Sequence, residues 1–379
     1  EQGTGKTKVS IDRAGELFAE GKITGVLVVS KRGVHRQWIV SQLPEHMGCG
    51  WSGKFWQSQK WRPVEGCPSI EGELAWASIN FDGAKTPKGK EACIEFLSAH
   101  KGRCLIIADE TQEIKNSRSA RHKALLELKA ASASPYRLAL TGTPIAKDLT
   151  DEWAQLNWLD ERILGIRYIT TFRAEYCLMG GFEAKAVVGH KNMDSFRSKV
   201  DPFTFRATKD ELGIEEKVYR KWKIELSAAQ EKAISDFKQD LSHKIDTGEI
   251  SSASTAAVAI VKVQQASNGF AVDEDGTPQD LVPPQKNPRL LALLEILDAC
   301  PGKTIVWARF RRDIELICGA LEASEISHVQ YHGGTKEKDR SASVDSFLDP
   351  KGARVFVSNP QAGGTGLNLQ GGCNHAIYY

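Results

Sequence analysis

Apolar positions in this chain fall into two kinds of run. The first is short and continuous: 26–30, 74–81, 104–108 and 136–140 early in the chain, and 304–308, 328–331, 354–358 and 375–379 near its end. Such runs suit strands buried on both faces of a parallel sheet. The second kind recurs at helical spacing: from about Lys8 to Glu20, over 89–100 and 119–131, at Leu290, Leu293, Leu294 and Leu297, and over 312–323 and 336–347. Strands alternating with helices predict an α/β architecture with a parallel sheet, here twice over. Between the two sets, 219–285 reads as helical and polar in its middle, and 273–288, rich in Pro, Asp and Gly, as a loop or linker. The pattern lapses over 44–72, where Trp51, Trp56 and Trp61 interleave with Lys54, Lys60 and Arg62. Aromatic and basic residues so mixed either stack bases and hold phosphates or close a small insertion over the sheet, and the insertion is the preferred reading.

Composition narrows this picture little. With 379 residues the chain has room for two domains and insertions, and 41% hydrophobic against 26% charged is ordinary for a globular protein. Fifty basic and forty-eight acidic residues leave +2, so any surface for nucleic acid must be local. Eight cysteines form no CxxC pair, and several lie inside apolar runs, which points to reduced thiols and an intracellular setting. His46, Cys49 and Cys67 are poorly spaced for a metal and lack a fourth ligand.

The candidate chemistry gathers where strands end. The run 104–108 leads directly into Asp109 and Glu110, at the edge where open α/β sheets bind ligands. An Asp there can hold Mg²⁺ and an adjacent Glu can polarise a water; solvated acids opening a loop would read the same. At the start, Gly3, Thr4, Gly5, Lys6 and Thr7 match the end of the phosphate-loop pattern GxxxxGK[ST], whose first glycine would fall one position before Glu1. In such a loop Lys6 would contact the β- and γ-phosphates and Thr7 would ligate Mg²⁺; the alternative is a plain Gly/Thr/Lys terminus. Lys31 and Arg32, after the strand 26–30, suit a nucleic-acid backbone and a solvated basic turn equally. After 136–140, the tetrapeptide Thr141-Gly142-Thr143-Pro144 places hydroxyls at a strand end, either to couple the nucleotide site to a neighbouring surface or as a simple turn.

Taken in order, GTGKT, DETQEIKN (109–116) and RLALTGTPIAKDLTDEWAQLNWLD (137–160) resemble the motifs of superfamily 2 helicases and translocases, most closely those of the Swi/Snf DNA-dependent ATPases. DPFTFRATK (201–209) is similar to the element between that family's two motor lobes. VFVSNPQAGGTGLNLQGG (355–372) is similar to its motif V, with Gly363, Gly364, Gly366, Asn368 and Leu369 at matching places. One departure is Gln112, where the family usually has His. The resemblance implies two RecA-like lobes, 1–160 and 286–379, with a helical insertion and linker at 161–285 and the second lobe incomplete. It implies ATP and Mg²⁺ as cofactors, and sequence-independent binding of DNA, usually duplex. Asp109, Glu110 and Gln112 would be catalytic, with Asp109 and Thr7 at the metal. Gly3, Thr4, Gly5, Lys6, Thr7, Gly364 and Gly366 would hold nucleotide, and Thr141, Gly142, Thr143, Lys31, Arg32 and Asn368 would couple or contact DNA. The family's final motif, Gln-x-x-Gly-Arg-x-x-Arg, would follow Tyr379. A piece of a longer protein is therefore expected, weak or inactive alone because an arginine finger contributes about 10³–10⁵ in turnover; its compact form suits a bacterial or phage source. A restriction-type motor, an RNA helicase and a non-hydrolysing DNA-binding module are the rival readings.

Overall fold

The apolar runs of the first part of the chain become the middle of a six-stranded sheet. A computed structural model describes residues 3–68, 72–143, 148–181, 186–213, 217–246, 253–273, 275–300, 302–363, 367, 369 and 372–379. It divides into two units, Glu1–Lys217 and Val218–Tyr379.

In the first unit the strands are β1 (Gly25–Ser30), β2 (Trp51–Gln57), β3 (Lys60–Val64), β4 (Leu74–Asn80), β5 (Cys104–Asp109) and β6 (Arg137–Leu140). Their order is β3-β2-β4-β1-β5-β6. All neighbours are parallel except β3, which returns antiparallel to β2. Every residue of β1 and β5 is buried, because helices cover both faces. On one face α1 (Lys6–Ala19) lays Ile11, Ala14 and Leu17 against Val26, Val28, Leu105 and Ile107. On the other, α2 (Pro87–Ala99), α3 (Ala120–Ser132) and α4 (Thr150–Asp160) bring Phe96, Leu97, Leu125, Leu128 and Trp158 onto Leu27, Val29, Ile106 and Ala108. The register places Ser30, Asn80, Asp109 and Leu140 level with one another at one edge. That edge is where the candidate residues collect.

The expected insertion at 44–72 is corrected. Its central part is β2 and β3, which extend the sheet rather than lie over it. Trp51 and Trp56 are 4% and 6% exposed and belong to the core, so neither ring is open to a base. The Lys54 ammonium lies 5.1 Å from the ring centres of both Trp61 and Phe96. The mixture of aromatic and basic residues is satisfied within the fold.

The stretch 161–285, expected as helical, also holds an antiparallel strand pair, β7 (Cys177–Gly180) and β8 (Ala186–His190), set between α5 (Ile169–Tyr176) and α6 (Met193–Val200). Phe172, Tyr176 and Phe196 pack there with Trp153. The second unit opens with α7 (Ala228–Asp246), α8 (Ala253–Asn268) and the short pair β9 (Phe270–Val272) and β10 (Pro278–Asp280). Then α9 (Pro288–Ala299), β11 (Thr304–Trp307), α10 (Arg311–Ala323), β12 (His328–Tyr331), α11 (Glu337–Leu348), β13 (Val355–Ser358) and β14 (His375–Tyr378) alternate. Its parallel sheet has the order β12-β13-β11-β14. All eight cysteines are unpaired. Among the described residues no helix is long and apolar enough to cross a membrane.

Candidate functional site

The site is built on the C-terminal edge of the first unit's sheet. Asp109 is the last residue of β5, and Glu110 turns the chain out of the strand with φ 61 and ψ 55, a left-handed conformation rare for a residue with a side chain. Strain of this sort costs about 1–3 kcal/mol and persists where surrounding structure enforces it. Neither acid is solvated: Asp109 is 8% and Glu110 7% exposed, which removes the reading of a plain acidic loop. Burial pushes the Asp109 carboxyl up to about 6, helped by the neighbouring Glu110 charge. The Trp38 N–H and the Lys6 ammonium act the other way.

Lys6 is thus within electrostatic reach of Asp109. It opens α1, and the preceding Gly3 and Gly5 have φ of 81 and 84. Gly5 is needed for that conformation and not for crowding, since a Cβ there would meet no atom within 4 Å. The Val9 N–H donates to the Gly5 carbonyl at 3.1 Å, and the helix that begins there turns the positive end of its dipole toward the turn, the arrangement that favours an anion. Gly3, Thr4, Gly5, Lys6 and Thr7 therefore form one turn at a helix N-terminus, on the unit that carries Asp109.

Gln112 joins two of the motifs. Its amide donates to a Glu110 carboxylate oxygen, and the Thr141 hydroxyl donates to its carbonyl at 2.8 Å. The Thr143 N–H then donates to the Thr141 hydroxyl at 3.0 Å. A continuous line of hydrogen bonds thus runs from the acidic turn to the turn after β6, with Gln112 in the middle. The Thr111 hydroxyl braces the same turn by donating to Gln155 Oε1 of α4 at 2.6 Å.

Lys31 lies at the end of β1 but is ion-paired to Glu113 at 3.1 Å. Glu113 also takes Arg121 of α3, whose other nitrogens reach Asp82 at 3.0–3.1 Å. Burial would lift the Asp82 carboxyl, but bonds from Lys85 and Arg121 hold it below the usual range. Arg32 is exposed beside this network.

Trp38, Asp82 and Arg121 had no signal in the sequence, and Gln155 lay in the block 137–160 without a role of its own. The contacts that tie them to the acidic turn and to one another span 8 to 71 positions. In the second unit Gly364, Gly366 and Asn368, and in the first Pro144, lie outside the described residues. The described members of that glycine-rich block pack tightly: Leu369 is buried, and a Cβ on Gly363 would lie 2.4 Å from Ser358 Oγ.

Residues 90–269 match the family model of the SNF2-related domain, and residues 285–379 match that of the helicase conserved C-terminal domain. The chain belongs to the Swi/Snf-like branch of superfamily 2. The first match takes in the 109–116 motif and the Thr141–Thr143 turn, and the second the block 355–372. Among proteins similar to this Swi/Snf-like chain, the SWI/SNF chromatin-remodeling complex subunit snf22 of Schizosaccharomyces pombe is 28% identical over 70% of it. The DNA repair and recombination protein RAD54-like of Danio rerio is 25% identical over 72%. The chain spans 17% of the first protein and 40% of the second. The Sulfolobus solfataricus SWI2/SNF2 ATPase core in complex with dsDNA is a structural relative at 20% identity and TM-score 0.45, covering the whole chain and 76% of that one. Likeness at that level leaves the family assignment resting on the sequence models.

Proposed function

We propose that this chain is the motor of an ATP-dependent DNA translocase, in which nucleotide binding and hydrolysis drive movement along duplex DNA. The observation that carries the reading is the buried pair Asp109 and Glu110 at a strand's C-terminal edge, with Lys6 close enough to act on Asp109. The donor set fits a nucleotide with Mg²⁺. Thr7 and Asp109 offer only oxygens, the ligands a hard cation takes, and the start of α1 offers amides for phosphate. Among the described residues no three His, Cys, Asp or Glu side chains cluster for a metal, and Mg²⁺ held largely by phosphates and water needs no such cluster.

Bound ATP and Mg²⁺ would supply the cleavable phosphoanhydride and neutralise the charge that develops on it. The chain's own residues do the rest. Lys6 would hold the β- and γ-phosphates, Thr7 and Asp109 would hold the metal, and Glu110 would orient the attacking water. Gln112 keeps Glu110 in place and reports its position to Thr141 and Thr143. Arg32 is exposed on the same sheet edge and offers charge to a DNA backbone, a contact that fixes position without reading sequence, while Lys31 beside it is engaged by Glu113.

The test is ATP hydrolysis by the full-length protein, alone and with duplex DNA, single-stranded DNA or RNA, beside a Lys6→Ala variant. Stimulation by duplex DNA that vanishes in the variant is expected. Stimulation by RNA alone would replace the reading with an RNA helicase. DNA binding without hydrolysis would replace it with a non-hydrolysing module.

A further inference from the structure

The Asp109 carboxylate is held by a residue that no catalytic motif contains. Trp38 is 1% exposed, and its indole N–H donates to Asp109 Oδ2 at 2.9 Å across 71 positions of chain. It sits where the helical run 34–46 changes pitch: Val34–Gln37 is α-helical, Trp38–Gln42 is wound as a π-helix, and Leu43–His46 is α-helical again. Single π-turns inside helices re-aim the side chains they carry and are frequent at functional sites.

Packing alone does not require the bond. Trp76 is equally buried in the same core, and its indole N–H has no hydrogen-bond partner. Trp38 and Trp76 therefore share one core at equal burial, and of the two only Trp38 is aimed at an acid. The segment bearing Trp38 meets the acidic turn a second time through the Lys31–Glu113 pair. The 31–38 segment is thus anchored on both sides of Glu110, at Asp109 and at Glu113.

We propose that Trp38 is a positioning residue for the metal-binding acid: its N–H fixes the rotational setting of the Asp109 carboxylate. The inference rests on the reading of Asp109 as a Mg²⁺ ligand. A donor behind a ligating carboxylate orients it, and removal of such a partner typically costs about 10–100-fold in metal affinity. Phe at position 38 keeps an aromatic ring in the core and deletes the donor.

The experiment measures Mn²⁺ binding by electron paramagnetic resonance on the full-length protein with ADP present, so that no turnover is needed. Wild type, Trp38→Phe and Trp76→Phe are compared, each with its thermal midpoint. Trp38→Phe should bind Mn²⁺ about 10–100-fold more weakly, while Trp76→Phe, a matched packing change, should bind as wild type does. Equal affinity in Trp38→Phe and wild type would overturn the proposal, as would equal losses in both variants. Wild type failing to bind Mn²⁺ with nucleotide would instead overturn the nucleotide-site reading itself. Should Trp38→Phe not fold, the indole N–H resonances of wild type and Asp109→Asn decide. One resonance that shifts in Asp109→Asn and broadens with Mn²⁺ in wild type supports the proposal, and the absence of any such resonance refutes it.

Discussion

Asp313 offers a test of the second unit that is independent of nucleotide. It is fully buried near the start of α10, where Oδ2 accepts from the Phe310 N–H at 3.2 Å and from Asn268 Nδ2 at 2.9 Å. Oδ1 has no partner. Burial pushes the carboxyl from 3.8 up to about 6, with those two donors and the Arg289 charge only partly opposing it. The shift of roughly two units corresponds to about 3 kcal/mol at 1.36 kcal/mol per unit. A raised acid pKa means that the folded form binds the proton more tightly than the unfolded chain does. The group's contribution is therefore most favourable below pH 4, declines between pH 4 and 6, and stays reduced above that. In Asp313→Asn the amide oxygen can accept both bonds and no charge is buried. Its NH₂ takes the place of Oδ1 without a partner, at a cost of about 1–3 kcal/mol that does not change with pH. The absolute stability of the variant is thus less informative than its pH dependence. Relative to wild type, the variant should gain about 2–3 kcal/mol between pH 4 and pH 8. Urea unfolding read by hydrogen exchange in peptides covering Thr304–Trp307 confines the measurement to this unit. The same difference between variant and wild type at both pH values would refute the reasoning.

Gln112→Leu removes both bonds that link Glu110 to Thr141 and should lower duplex-stimulated ATP hydrolysis about 10–100-fold, the value of one hydrogen bond to a charged group. Gln112→His should retain most of it, since a neutral imidazole both donates and accepts; equal losses in the two variants would show that the line of bonds is not used. The Ser119 hydroxyl caps α3 by accepting from the His122 N–H at 3.2 Å. Ser119→Ala should cost about 1 kcal/mol in chemical denaturation and Ser119→Gly only a few tenths, and a larger loss in the glycine variant would contradict the capping role.

What the sequence disclosed about the fold follows from where each signal was stored. β1 and β5 were legible because both faces are covered, so no position before the final Ser30 and Asp109 is polar and the run stands out unaided. β2 was not legible, although it lies in the same sheet. Its core positions Trp51 and Phe55 alternate as a strand should, but the position between them is Gly53, which contributes no side chain and hides the period. The structure gives the reason: a Cβ at Gly53 would lie 2.7 Å from Ile39 Cγ2. A residue chosen for close approach by a helix removed the pattern that would have announced a strand.

The candidate site divides along the same line. Lys6, Asp109, Glu110 and Thr141 could be named in advance because their types and spacing within a few residues describe a chemistry. Gln112 could be named as catalytic through the resemblance and stood out as a departure from it, but its bond to a threonine 29 positions later had no sequence signal. Once that bond is known the departure has a physical account. The position needs one donor for Glu110 and one acceptor for Thr141, and a glutamine amide carries both, as a neutral histidine does. Trp38 carried no signal at all, since a tryptophan in an amphipathic segment is the ordinary content of a core. The Trp38–Asp109 contact spans 71 positions, so the residue that holds Asp109 is contributed by tertiary structure, while the motif contributes the acids and the Gln112 that holds Glu110.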